Sequence, residues 1–162
     1  MRSGVRLGVD VGKARIGVAR SDLHGMLATP IETVPRAATG TADLDRIALL
    51  CRELDCTEVV VGLPLSLSGS RTPSTDDASS FAERIAEATG VPVRLIDERL
   101  TTVSAQAALH RAGRNTKGSR PVIDQVAAVI LLQHALDSEQ ASGNPPGIPV
   151  SHTGPDNQGE NP

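Results

Sequence analysis

Aromatic side chains are almost missing from this 162-residue chain, which has one Phe and neither Trp nor Tyr. That excludes the stacking platforms on which single-strand binders and RNA-recognition modules rest their bases, so any nucleic-acid contact must run through backbone and charge. Cysteine is scarce as well. Cys51 and Cys56, in a C-x4-C spacing with no second cluster, fit neither a zinc ligand set nor a secreted disulfide framework and read as buried thiols of a reducing cytosol. The longest apolar run, Val126 to Leu132, is far too short to span a membrane, and the N-terminus lacks the apolar stretch of a signal peptide. The expectation is a soluble cytoplasmic protein with no membrane partner. Three common catalytic signatures are missing too. There is no Gly-x-Ser-x-Gly elbow and no His-Glu-x-x-His, and Gly12-Lys13 is followed by Ala14 where a Walker A loop needs Ser or Thr. His24, His110, His134 and His152 therefore receive no catalytic role.

Lys and Arg disappear from the last stretch. Asp137 to Pro162 carries four acids, five Pro and four Gly, with only Ala141, Ile148 and Val150 as apolar residues. So little apolar surface cannot offset the entropy of ordering the segment, and it is expected to be a disordered tail whose removal leaves stability unchanged. The folded unit is then one domain, residues 1–136. There 16 basic residues face 15 acidic ones, a balance that excludes neither a polyanion nor a neutral substrate.

Within that unit Val5, Leu7, Val9 and Val11 alternate with Arg6, Gly8 and Asp10 as in a strand, and Gly12 to Ala14 turn the chain into a second strand, Arg15 to Ser21. Ala28 to Val34 is a third strand, placed at a sheet edge by Pro30. Helical spacing follows after Thr41, a candidate cap, in Leu44, Ile47, Ala48, Cys51 and Leu54. Glu58 to Val61 and Val93 to Ile96 read as buried strands. Between them lie a Ser-rich loop, Leu63 to Thr75, and a helix built on Ala78, Ala82, Ile85 and Ala88 that stops at Gly90. A helix capped by Thr101 or Thr102 and running to Ala112, a loop from Gly113 to Ser119, and a last helix through Ile123, Ala127, Leu131 and Ala135 complete the unit. A meander followed by alternating helix and strand predicts an α/β fold, a mixed five-stranded sheet flanked by helices.

Three acids stand out. Asp10 breaks an apolar strand, where an unpaired carboxylate is costly to bury; an ion pair with Lys13 or Arg15 is the alternative to a functional role. Glu98 follows the strand Val93 to Ile96, and taken singly reads as a solvated loop acid. Asp124 lies early in the last helix, where the helix dipole alone accounts for it. Functional groups of such sheets collect at the carboxyl ends of the strands. Brought there together, the three acids would make an oxygen-only site for a hard divalent ion, Mg2+ or Mn2+. Lys13, Arg15 and Arg20 are expected near Asp10, and Arg111, Arg114, Lys117 and Arg120 form a run without an acid. Both groups suit the guiding of phosphates, as does Arg71 beside Ser66, Ser68 and Ser70, although a basic run or a Ser-rich loop is as readily plain solvated surface.

Four segments then carry a resemblance: Leu7-Gly8-Val9-Asp10-Val11-Gly12-Lys13-Ala14-Arg15-Ile16-Gly17-Val18-Ala19, Val61-Gly62-Leu63-Pro64, Asp97-Glu98-Arg99-Leu100-Thr101-Thr102, and Ile123-Asp124-Gln125-Val126-Ala127-Ala128. In this order, and over Leu7 to Leu136, they resemble the motifs of the YqgF/RuvX family. The resemblance implies a ribonuclease H-like fold and a metal-dependent nuclease of the bacterial cytoplasm, with Asp10, Glu98 and Asp124 as its catalytic, metal-holding acids. It points to processing of the 5′ end of the 16S ribosomal RNA precursor, with a relationship to Holliday junction resolvases. Structured RNA and branched DNA both remain as substrates, and monomer and homodimer both remain as assemblies. Two further readings stay open. Asp10-Val11-Gly12 with Ile16-Gly17-Val18 also resembles the phosphate-gripping hairpin of the actin, sugar kinase and Hsp70 superfamily, which needs two such domains where this chain has room for one. A non-catalytic RNA-binding or transcription-associated factor is the other, although binding alone would not require three acids.

Overall fold

The computed structural model describes residues 2–101 and 120–150. Strands β1 (Arg6–Val11), β2 (Arg15–Ser21) and β3 (Ala28–Pro35) form the meander, followed by helix α1 (Ala42–Leu54), strand β4 (Glu58–Leu63), helix α2 (Pro73–Thr89) and strand β5 (Val93–Asp97). A 3-10 turn (Glu98–Thr101), helix α3 (Arg120–Ser142) and a short strand β6 (Ile148–Pro149) follow. The sheet order is β3-β2-β1-β4-β5-β6. Parallel pairing of β1 with β4 and of β4 with β5 aligns three carboxyl ends, while the remaining neighbours run antiparallel.

Alternation along the central strands divides the core in two. Leu7, Val9, Val59 and Val61 face one side with Ile47, Phe81 and Ile85 of α1 and α2. Val60 and Ile96 face the other with Ala128, Leu131, Leu132 and Ala135 of α3. Pro30 does lie on an edge strand, opposite Ala19, where the register of β2 and β3 shifts and the missing N–H costs no ladder bond.

Several expectations are corrected. The sheet has six strands rather than five, and the sixth comes from the segment read as a disordered tail. Helix α3 passes the expected boundary at Leu136 and runs to Ser142. What orders this stretch is charge and backbone pairing rather than apolar area. Glu139 accepts hydrogen bonds from Arg2 at 2.8 Å and 3.0 Å, Ile148 and Pro149 pair with Leu95 and Arg94, and the Val150 N–H reaches the Val93 carbonyl at 2.9 Å. Helix α2 begins at Pro73, inside the expected loop, because Thr72 and Thr75 form a reciprocal capping box with Pro at the first helical position. Thr41 precedes α1 without capping it through its side chain; its hydroxyl instead donates to Asp45 at 3.2 Å. The expected helix ending at Ala112 and the loop Gly113 to Ser119 lie outside the described residues, as do residues 151–162.

Candidate active site

Asp10 stands near the carboxyl end of β1, Glu98 opens the turn directly after β5, and Asp124 lies in the first turns of α3. Strand β4 separates the first two, and a side chain there would keep them apart. The residue at that place is Gly62. A β-carbon built on it would lie 2.8 Å from Glu98 Cδ and 2.9 Å from Oε2, so the Glu98 carboxylate crosses β4 through the space glycine leaves. Asp10 and Glu98 are hydrogen-bonded to each other. On the other flank Asp10 pairs with Gly17 of β2, whose missing β-carbon would sit 2.0 Å from the Asp124 carbonyl oxygen. The main chain of α3 therefore rests on Gly17, and this brings Asp124 to the group.

The electrostatics follow from that crowding. Burial pushes the Asp10 carboxyl up to about 6; the hydrogen bond from Glu98 works against this and the charge of Asp124 adds to it. Burial also pushes Glu98 up, to about 8, reinforced by the negative charge of Asp10. Near neutral pH the pair accordingly shares a proton. Asp124 is held by Arg15, Nε to Oδ2 at 2.8 Å. The anticipated ion pair of Arg15 thus exists, but with Asp124 rather than Asp10.

The site has supports that sequence reasoning missed. Arg36 donates to the Gly12 carbonyl at 2.8 Å, forks onto Asp77 at 2.9 Å and 3.0 Å, and lies 5.1 Å from the centre of the Phe81 ring, which clamps the β1–β2 turn onto α2. Arg99 forks onto Asp97 and stands 3.1 Å from the position of a β-carbon on Gly69, bracing the Ser-rich loop. The glycines were legible as motif letters, yet only packing shows what crosses them. Arg36 left no signal.

Other candidate residues are placed differently. Lys13 is exposed on the turn and borders a shallow cleft with Pro73, Ser74 and Asp77. Arg20 lies opposite Leu7, toward the amino end of β1 and away from Asp10. Arg71 pairs with Asp76 at 2.8 Å on the surface, and Ser66, Ser68 and Ser70 bond to one another at 2.9 Å and 3.1 Å. Arg111, Arg114 and Lys117 lie outside the described residues, and Arg120 is the first residue of α3. Cys51 and Cys56 are buried free thiols. Among the described residues no three His, Cys, Asp or Glu side chains are grouped as a ready metal site; Asp10 and Glu98 hold each other, and Asp124 holds Arg15.

A family profile described as RuvX, Holliday junction resolvase, matches residues 4–138. The chain belongs to the RuvX family. Relatives named "Putative pre-16S rRNA nuclease" include one from Clavibacter michiganensis subsp. michiganensis, 63% identical over 158 residues, covering 96% of this chain and 98% of the relative. Another, from Leifsonia xyli subsp. xyli, is 61% identical over 150 residues and covers 93% and 96% respectively. Among solved structures, T. thermophilus RuvC in complex with a Holliday junction substrate aligns with a TM-score of 0.54 at 17% identity, covering 91% of this chain and 99% of that one. That likeness gives the RuvX chain its fold class, ribonuclease H-like, with the mixed sheet and flanking helices described above.

Proposed function

We propose that this RuvX-family protein is a cytoplasmic, metal-dependent nuclease that hydrolyses phosphodiester bonds in structured RNA and matures the 5′ end of the 16S ribosomal RNA precursor. The observation that carries the reading is the Asp10–Glu98 pair: two half-buried carboxyls hydrogen-bonded to each other at the carboxyl ends of parallel strands, both pushed above the ordinary carboxylate range, with the charge of a third acid acting on Asp10. Such a conflict is kept where function needs it. The names of the close relatives supply the substrate, and the site's chemistry supplies the class of reaction. Among the described residues no helix is long and apolar enough to cross a membrane.

The donor set fits a divalent ion, because all three groups are carboxylates and the shared proton of Asp10 and Glu98 is what a cation would replace. Asp10, Glu98 and Asp124 would hold Mg2+ or Mn2+. When bound, the ion acidifies water and stabilises charge on the leaving oxygen. The chain's own residues do the rest. The turn clamped by Arg36 fixes where Arg15 and Lys13 present positive charge to phosphate oxygens. Lys117, Arg111, Arg114 and Arg120 would extend the phosphate track, with Arg71 at its margin.

The family's description favours one second reading, resolution of branched DNA, which requires two symmetric cuts and hence a two-fold dimer. The test compares cleavage of a precursor 16S RNA with that of a four-way junction, with Mg2+ and with EDTA, beside the mass in solution. We expect RNA cleavage that EDTA abolishes. Preference for the junction by a dimer would replace the substrate assignment, and full-rate cleavage in EDTA would overturn the metal dependence.

A further inference from the structure

We propose that Arg15 exchanges partners during binding: its guanidinium holds Asp124 while no divalent cation is present, and passes to a phosphate of the nucleic acid when a cation takes Asp124. Cation and nucleic acid then bind with positive coupling. The inference rests on the function proposed above.

The geometry separates a fixed base from a free arm. The Arg15 carbonyl accepts the Gly12 N–H at 2.9 Å, and its neighbour Ala14 accepts the Arg36 N–H at 2.9 Å. Arg36 also grips the Gly12 carbonyl and is itself forked by Asp77. The backbone of the turn is thus held while the long Arg15 side chain is not. Among the described residues Asp124 is the only ion-pair partner of Arg15, and the contact is made through Nε alone. The two side chains are 33% and 26% exposed, so both a cation and a phosphate can reach them. A half-exposed ion pair of this kind adds little in place, and its partners can be exchanged at small cost.

A cation on Asp124 would meet the positive guanidinium on the same carboxylate, and like charges there repel. The displaced guanidinium needs another anion. Its planar fork matches two phosphate oxygens better than an ammonium does. Lys13, on the same turn, faces solvent and makes no ion pair among the described residues, so the turn offers phosphate a second positive charge beside the released one. By linkage, a cation that frees Arg15 must tighten nucleic-acid binding by the same factor by which nucleic acid tightens cation binding.

The experiment uses the full chain. Mn2+ binding is measured by calorimetry without nucleic acid, and binding of a precursor 16S RNA fragment by anisotropy, in EDTA and in Ca2+ at matched ionic strength. In the parent, Ca2+ should tighten RNA binding about tenfold. Arg15→Gln should bind Mn2+ about fivefold more tightly than the parent and lose most of the Ca2+ effect on RNA. Asp124→Asn supplies an independent arm: with Arg15 released, it should bind RNA in EDTA nearly as well as the parent does in Ca2+. Asp10→Asn removes a carboxylate without freeing Arg15, so it should not reproduce this gain. If Arg15→Gln binds Mn2+ no more tightly than the parent, or if Asp124→Asn gains no more RNA affinity than Asp10→Asn, the exchange is wrong. A parent that binds no Mn2+ and cleaves RNA in EDTA would overturn the proposed function itself, an outcome distinct from either of these.

Discussion

The two ends of the sheet both hold crowded charge and treat it in opposite ways. At the amino end, Arg2, Arg6, Glu58 and Glu139 are balanced two against two. Arg2 reaches both Glu58, at 3.1 Å, and Glu139, at 2.8 Å, while Arg6, only 2% exposed, reaches Glu139 at 3.4 Å. This network ties the start of β1 and β4 to the last turns of α3, and the hydrogen bond from Arg2 holds the Glu139 carboxyl below the usual carboxylate range. At the carboxyl end Asp97 is paired with Arg99, but Asp10, Glu98 and Asp124 meet Arg15 alone, and Asp10 and Glu98 are pushed well above that range. The same helix spans both ends, with Glu139 at one and Asp124 at the other. One end balances its charges and leaves only Arg6 Nη1 without a hydrogen-bond partner among the described residues; the other is left in conflict, as expected of a site that awaits a cation and a polyanion.

The comparison can be broken most forcefully at the amino end. Glu139→Gln leaves Arg6 buried without its counter-charge and should cost about 3–5 kcal/mol of stability. Truncation after Leu136 removes the same carboxylate together with β6, and should destabilise at least as much. Urea unfolding of both variants checks this; unchanged midpoints would show that the network is ornamental and that the residues after Leu136 are dispensable.

At the carboxyl end the sign should reverse. Asp10→Asn should slow cleavage by about a hundredfold or more, on the scale of losing one preorganised charge-stabilising group, yet in EDTA it should melt no lower than the parent because it relieves repulsion. Mg2+ should raise the parent's melting temperature and the variant's much less. Parallel melting curves and cleavage assays decide it. A variant that melts far below the parent in EDTA would mark Asp10 as part of a structural pair.

A smaller effect is expected from pH. The folded state holds protons on Asp10 and Glu98 more tightly than the unfolded chain does. The stability linked to them is therefore fully present below the ordinary range near about pH 4 and is lost as pH rises through about 6 and about 8. In EDTA the parent should lose stability progressively between about pH 5 and about pH 8, Glu98→Gln clearly less, and saturating Mg2+ should offset the fall. A flat profile for the parent would mean that the two acids are better solvated than their crowding indicates.

The least effect belongs to charges outside both ends. Arg46 and Glu32 pair at 2.6 Å on the surface, and replacing both with Gln should move the melting temperature by no more than about 4 °C. A larger shift would mean that exposed pairs also matter here and would blur the contrast.

Much of this was legible in the order of residues. Period-two alternation marked β1, the turn after it marked β2, short apolar runs marked β4 and β5, Pro30 marked the edge, and apolar spacing marked α1, α2 and α3, because these patterns are set by neighbours within a few residues. The misread segment shows where local reasoning stops. Residues beyond Leu136 have little apolar surface, and composition weighs that heavily, but it cannot weigh a carboxylate at 139 against guanidiniums at 2 and 6, whose distance in the chain hides their contact. The capping box at Thr72 and Thr75 was readable in principle and was obscured by the Ser-rich stretch before it.

By itself, then, the sequence determined the five strands β1 to β5 and the cores of α1, α2 and α3, that the strands build a mixed sheet, and that Asp10 and Glu98 stand at or just beyond strand ends. Only the tertiary structure decided that Glu98 crosses Gly62 to share a proton with Asp10, that α3 rests on Gly17, and that Arg15 answers Asp124 rather than Asp10. The reason is physical. Secondary structure depends on contacts a few residues apart, whereas the energy of a charge depends on desolvation and on distances of a few ångströms, fixed only when register, crossover and helix packing are set together.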